Sequence, residues 1–180
     1  MKTAASSPLL LVDGYNIIGH WTDLQRARDQ FGLELARQEL VEALINYSSH
    51  QGYQTQVVFD AQLQRQPAAQ ETPSAHLTVY FTDWSQTADT YIEKYCARFF
   101  RQGGCRSSRL IVATSDRAQQ LTVLGYGAEW MSAPTLVKAI ETSQRQVRKI
   151  PNKQNRRPAG SLARSLDPQV REKLRQLRFS

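Results

Sequence analysis

The chain contains five short apolar or alternating runs, separated by polar or helix-like stretches. Runs of this length bounded by turn residues are typical of strands buried on both faces, as in parallel sheets. The first run ends at Asp13 and Gly14, which predicts a turn directly after the strand. The predicted strands are residues 9–12, 55–59, 76–81, 109–113 and 128–131.

Between these runs, apolar residues recur at helical spacing. One predicted helix places Leu33, Leu40 and Leu44 on a single face and ends at Gly52. Further helices are predicted after Asp116 and from residue 132. The alternation predicts an α/β fold with a mostly parallel sheet. The most regular helix follows Thr87, a predicted N-cap, and its stripe comprises Ala88, Tyr91, Ile92, Tyr95, Cys96 and Phe99.

Residues 61–75 show neither the helical nor the strand spacing of apolar residues, and they contain two prolines. They predict a loop, and compact domains seldom contain a structureless loop of this length without a functional reason. A flap over a substrate site is one such reason.

Carboxylates follow three of the predicted strands. Asp13, Asp60 and Asp116 come at or just after strand ends, and Asp89 lies in the first turn of the strongest helix with Glu93 one turn later. In open α/β sheets the carboxyl edge holds the ligand site. Like charges that converge raise one another's pKa unless a cation neutralises them, and oxygen donors without Cys or His favour Mg²⁺ or Mn²⁺. The pattern predicts an acidic metal site.

Each acid also has a structural interpretation, Asp13 as a turn former and Asp116 as a helix cap. The four together favour the metal site. Other catalytic chemistries lack their motifs, because His20, His50 and His76 fall in separate segments and the sequence has no GxSxG, Walker A or GxGxxG motif.

The net charge of +7 is concentrated near the C-terminus, where residues 141–180 hold 11 of the 23 Lys and Arg residues but 3 of the 16 Asp and Glu residues. Such a segment predicts a polyanionic partner, RNA or a ribosome. A membrane surface is disfavoured, because few bulky apolar residues accompany the charges. A solvated surface that aids solubility is the alternative. The predicted RNA-binding residues are Arg145, Arg148, Lys149, Lys153, Arg156 and Arg157.

Two cysteines without a CxxC pair, and an N-terminal apolar run too short for a signal peptide, predict a protein of the reducing cytoplasm. We expect residues 8–150 to form the catalytic domain. Residues 151–180 are expected to form a basic linker and a short C-terminal helix that begins at Asp167 and Pro168.

The segments LLLVDGYNIIG, VVFDA, TADTYIEK and IVATSD, in this order and spacing, resemble the YacP-like branch of the NYN domains, within the PIN-like nuclease superfamily. The resemblance covers about residues 8–180. It implies a Rossmann-like, three-layer α/β/α fold in which an acidic cluster binds Mg²⁺ or Mn²⁺ and hydrolyses RNA. It also implies an association with cleavage of messenger RNA on bacterial ribosomes.

Residue by residue, the resemblance implies that Asn16 orients a carboxylate, water or phosphate, with Ser115 and Thr87 as supporting candidates. Glu93 is a further supporting candidate from its place on the helix. The metal-site acids implied by the resemblance are Asp13, Asp60, Asp89 and Asp116.

The sequence therefore predicts a metal-dependent endoribonuclease. The competing hypothesis is an RNA- or ribosome-binding module without catalysis, and the presence of all four acids argues against it. An adaptor that uses its basic end to bind an acidic protein is a third hypothesis. The sequence does not predict an oligomeric state.

Overall fold

The structure of the protein is a computed structural model that describes residues 7–61, 67–103 and 108–149. The predicted C-terminal helix lies outside these residues. Along the chain the elements are β1 (Leu9–Asp13), α1 (Gly14–His20), α2 (Thr22–Phe31), α3 (Leu33–Gln51), β2 (Gln54–Phe59), β3 (Ala69–Ser74), β4 (Leu77–Phe81), α4 (Ala88–Arg101), β5 (Leu110–Ala113), α5 (Arg117–Tyr126), β6 (Glu129–Met131) and α6 (Ala133–Lys149).

The strands form one six-stranded sheet in the order β3-β4-β2-β1-β5-β6. Every neighbouring pair is parallel except β3 and β4, which are antiparallel. The predicted mostly parallel α/β sheet is therefore confirmed. β1 lies at the centre between β2 and β5, so the residues that follow these three strands emerge side by side at one edge.

Helices cover both faces of the sheet. Because side chains alternate along a strand, Leu10 and Val12 of β1 point to one face and Leu11 points to the other. The first two pack in a core with residues of α1, α2, α3 and α6. Leu11 packs in a second core with residues of α4 and α5, among them Ile92 and Val123. The result is the three-layer α/β/α arrangement.

The predicted loop over residues 61–75 is wrong for its second half. Residues Ala69–Ser74 form β3, which pairs with β4 at the sheet edge, with an irregularity between Glu71 and Ser74. An exposed edge strand buries no face, so the hydrophobic alternation that would reveal it is absent, and it tolerates Pro73.

The turn predicted after β1 is also wrong, because α1 begins directly at Gly14. A Cβ at this position would overlap the ring of Phe59, which explains the glycine. Neither α1 nor α2 was predicted. The helix α1 has only seven residues, and α2 buries only Leu24 and Ala27, so neither shows a clear helical period of apolar residues. The helices α3 to α6 follow the predicted pattern.

Within the described ranges, no helix combines the length and the apolar character needed to cross a bilayer.

Candidate active site

Three of the predicted acids lie along the carboxyl edge of the central strands, and a fourth begins the helix beside it. Asp13 is the last residue of β1 and Asp60 follows β2 directly. Asp116 lies three residues beyond β5, and Asp89 is the second residue of α4. Because β2, β1 and β5 are parallel neighbours, these positions share one edge, as the sequence pattern predicts.

Asp13 is the most perturbed of these carboxyl groups. Its side chain is 8% exposed. Burial raises the pKa of Asp13 to about 7. The backbone N–H of Asn16 lowers this pKa, whereas the negative charges of Asp89, Asp60 and Asp116 raise it further. The structure therefore brings the other three acids within electrostatic reach of Asp13.

Asp89 is affected in the same direction. Partial burial and the charges of Asp116, Asp60 and Glu93 raise the pKa of Asp89, while a hydrogen bond from Gln119 opposes the rise. Glu93, a supporting candidate from the sequence, thus contributes negative charge close to Asp89.

Three of the acids also hold helix N-termini. Asp13 Oδ1 accepts from the backbone N–H of Asn16 at 3.1 Å, and Asp116 Oδ1 accepts from that of Gln119 at 2.8 Å. Asp60 Oδ1 accepts from the backbone N–H of Ala88 at the start of α4. The capping role and the acidic cluster therefore coexist, and the N-terminal ends of α1, α4 and α5 place partial positive charge beside these carboxylates.

The Asn16 side chain joins two acid-bearing segments. Its Oδ1 accepts from the backbone N–H of Ser115 at 2.7 Å, which ties the residue before Asp116 to the first turn of α1. Ser115 Oγ in turn accepts from the backbone N–H of Ala133 at 3.0 Å, at the start of α6. Thr87 Oγ1 caps α4 by accepting from Thr90 at 3.2 Å. The side chains of Asn16, Ser115 and Thr87 therefore hold the backbone segments next to the acids in place.

Gln119 was not among the site residues predicted from the sequence. Its side chain is 3% exposed, and its Nε2 donates to Asp89 Oδ1 at 2.5 Å. Its Oε1 is buried and has no hydrogen-bond partner among the described residues. A signal was present, because Asp116 and Gln119 have the N-cap to N3 spacing of a capping box. Here the glutamine turns to Asp89, and the Asp116 N–H donates to Thr114 Oγ1 at 3.1 Å.

The donor chemistry of this edge fits a hard divalent cation. In the part of the chain that the structure describes, no three His, Cys, Asp or Glu side chains converge closely enough to hold one ion together. Mg²⁺ commonly keeps several waters and uses one or two carboxylates, so a full acidic cage is unnecessary. Burial and the neighbouring carboxylates raise the pKa of Asp13, so the ionised group is disfavoured until a cation accompanies it. One or two of these carboxylates, with water, fit Mg²⁺ or Mn²⁺.

The structure describes part of the predicted RNA-binding set. Arg145 is exposed on α6 and lies 3.7 Å from Glu141. Arg148 and Lys149 belong to the last turn of α6. Lys153, Arg156 and Arg157 lie outside the described residues.

A mostly parallel sheet with helices on both faces and carboxylates along its carboxyl edge is the arrangement expected of a PIN-like nuclease. The chain belongs to the YacP-like NYN domain family, whose model matches residues 10–179. NYN domains are PIN-like nucleases, and they generally use divalent metals. The resemblance seen in the sequence is confirmed.

The relatives match the chain over most of its length. A curated relative, uncharacterized protein YacP of Bacillus subtilis (strain 168), is 35% identical over 158 residues, which are 87% of this chain and 89% of the relative. The crystal structure of Rae1 (YacP) from Bacillus subtilis is 33% identical, covers 94% of both chains and has a TM-score of 0.68. A tryptophan-to-leucine mutant of the same protein is 33% identical, covers 78% and 79%, and has a TM-score of 0.64.

Proposed function

We propose that this protein is a metal-dependent endoribonuclease that hydrolyses RNA phosphodiester bonds at the acidic edge of its sheet. The observation that carries the proposal is Asp13, a buried carboxyl group with a pKa raised to about 7 and three further acids in its electrostatic surroundings. Such a group is costly to a fold unless a cation accompanies it. Membership of a nuclease family supports the same activity.

In this proposal Asp13, Asp89 and Asp116 hold one or two Mg²⁺ or Mn²⁺ ions, directly or through water. When bound, such an ion polarises a phosphoryl oxygen, acidifies water and stabilises a leaving oxygen. Asp60 completes the cluster or positions the attacking water.

The surrounding side chains keep these carboxylates in place. Gln119 fixes one oxygen of Asp89, and Asn16 holds the segment before Asp116 against α1. A site whose acids are fixed by hydrogen bonds before substrate arrives has less to reorganise during the reaction.

The proposed substrate is RNA, and specifically messenger RNA on the ribosome in the cytoplasm. The family supports RNA in general. The excess of Lys and Arg in residues 141–180 supports a polyanionic partner, and the association with the ribosome rests on the resemblance of the sequence to its branch.

A catalytically silent RNA- or ribosome-binding module is the alternative. Asp13 and Asp116 cap helices and Asp60 accepts from the first N–H of α4, so a silent domain would retain these residues for stability. Only an activity measurement separates the two functions.

The test uses the full-length protein with single-stranded RNA and, in parallel, with translating ribosomes, in Mn²⁺, Mg²⁺ or EDTA. We expect cleavage in Mn²⁺ or Mg²⁺ and none in EDTA. The Asp13→Asn variant should not cleave, whereas Asp23→Asn, which changes an exposed acid of α2, should cleave as the wild type does. Intact RNA in every wild-type reaction would support the silent module, and equal cleavage by Asp13→Asn would refute the assignment of the site.

A further inference from the structure

A cavity of about 270 Å³ opens on the α4 side of the sheet. This volume lies just under the usual range for small-molecule sites, so the cavity itself suits one planar ring system, with any attached groups at its rim. None of its lining residues belongs to the acidic site. They are Tyr80, Gln86, Tyr91, Lys94, Tyr95 and Arg98.

Aromatic rings form one wall of the cavity. Tyr80 of β4 and Tyr91 of α4 are stacked, with ring centroids 4.2 Å apart. The ring of Tyr95 lies 6.2 Å from that of Tyr91. Gln56 Nε2 donates to the Tyr91 hydroxyl at 2.7 Å, which anchors this ring to β2. The wall is therefore built on a strand and a helix, and rings of this kind bind nucleobases of any sequence by stacking.

Two cations stand beside the rings. Lys94 and Arg98 are exposed and lie one turn apart on α4. Within the described ranges neither lies in an ion pair, whereas Arg26, Arg28 and others do. Hydrogen bonds from Ser85 lower the pKa of Asp83, and Lys94 is close enough to that carboxyl group to help lower it. A cavity with an aromatic wall and two exposed cations outside ion pairs favours a ligand that combines a planar ring with negative charge.

The cavity shares a helix and neighbouring strands with the acidic edge. Tyr80 is the penultimate residue of β4 and pairs in register with Val58, two residues before Asp60. Asp89 precedes Lys94 by five residues of α4, which is about 7.5 Å along a helix axis at roughly 1.5 Å per residue. The helix that lines the cavity therefore also carries Asp89 of the acidic edge.

We propose that this cavity is a subsite for one nucleotide of single-stranded RNA, with the base against the tyrosine rings and the phosphates at Lys94 and Arg98. The subsite rests on the proposed endoribonuclease function. It places RNA contacts on the folded domain, beside those of the basic C-terminal segment. Its purpose is to hold the strand alongside α4 so that a neighbouring phosphodiester lies at the acidic edge.

The first experiment measures binding of fluorescent single-stranded RNA to full-length protein in EDTA across a salt series. The double variant Lys94→Ala/Arg98→Ala is compared with Arg26→Ala/Arg28→Ala, which removes the same charge from α2 on the opposite face. Each phosphate contact on a single strand contributes about −0.7 to the slope of log K against log salt. We expect the α4 variant to lose about 1.4 from the slope and the α2 variant to keep the wild-type slope.

The second experiment crosslinks RNA containing 4-thiouridine and locates the crosslinks by mass spectrometry. We expect crosslinks at Tyr80, Tyr91 or Tyr95, and an affinity about tenfold lower for Tyr95→Leu, with thermal unfolding confirming that this variant is folded.

The outcomes separate the subsite from the proposed function. If the wild type cuts RNA but both double variants bind alike and crosslinks fall only in residues 141–180, the subsite is refuted and the nuclease stands. If the wild type neither binds nor cuts RNA, both proposals fall.

Discussion

Replacing Asp13 by Asn should stabilise the metal-free protein while abolishing cleavage. The folded protein holds this carboxyl group with a pKa of about 7, against 3.8 as the ordinary value. Between these two pH values the folded state binds more protons than the unfolded state. Stability therefore falls as the pH rises from about 4 to about 7, and the cost of the ionised group is complete above pH 7.

The magnitude follows from the shift. Three pH units at about 1.4 kcal/mol each give a cost of up to about 4 kcal/mol for ionised Asp13 at pH 8. The Asn side chain keeps an oxygen that accepts from the Asn16 N–H but carries no charge. For a domain of this size, recovery of even 2 kcal/mol raises the melting temperature by roughly 4–8 °C.

The assay is thermal or chemical unfolding in EDTA at pH 8 and at pH 4.5, with RNA cleavage measured in Mn²⁺. The Asp13→Asn variant should exceed the wild type in stability at pH 8, and the difference should shrink strongly at pH 4.5. The matched control is Asp23→Asn, an exposed acid 3.6 Å from Arg26, which should stay within about 0.5 kcal/mol of the wild type.

Equal or lower stability of Asp13→Asn at pH 8 would mean that ionised Asp13 does not destabilise the folded protein. The same gain at both pH values would also contradict the prediction, because it would arise from packing and not from charge.

Three further predictions concern the metal, Gln119 and the basic segment. Millimolar Mn²⁺ at pH 8 should raise the melting temperature of the wild type but not of Asp13→Asn, because an ion bound only by the intact site of the folded protein stabilises it. An identical rise in both proteins would mean that the ion binds elsewhere. Gln119→Leu removes the hydrogen bond to Asp89 and should lower the cleavage rate by roughly tenfold or more. The control Gln120→Leu should not lower it. Unchanged cleavage by Gln119→Leu would mean that Gln119 acts only in packing. Truncation after Gln144 should remove about −3.5 from the slope of log K against log salt for RNA binding, if about five phosphate contacts are lost. The truncated protein should still cleave short RNA at low salt. If it keeps the full slope, all RNA contacts lie on the domain.

Local sequence determined most of the strands and the larger helices. The runs that form β1, β2 and β5 are apolar because both faces of a central strand are covered, and such runs are visible in the sequence. The helix α4 was predictable because its apolar stripe and its cap at Thr87 lie within one segment. The acids were found because each follows a predictable strand or begins a predictable helix.

Elements that bury little of their own surface were not predictable in this way. The edge strand β3 and the helix α2 contain few buried side chains, so no hydrophobic period distinguishes them from loops. Their structure depends on pairing or packing with distant parts of the chain.

The tertiary structure alone decided how the site is assembled. The order of β2, β1 and β5 brings Asp60, Asp13 and Asp116 to one edge, although the chain visits these strands with long segments between them. The contacts of Gln119 with Asp89 and of Asn16 with Ser115 span 30 and 99 residues. Hydrogen bonds between residues so far apart leave no local pattern, because the partner is supplied by the fold and not by the neighbouring sequence.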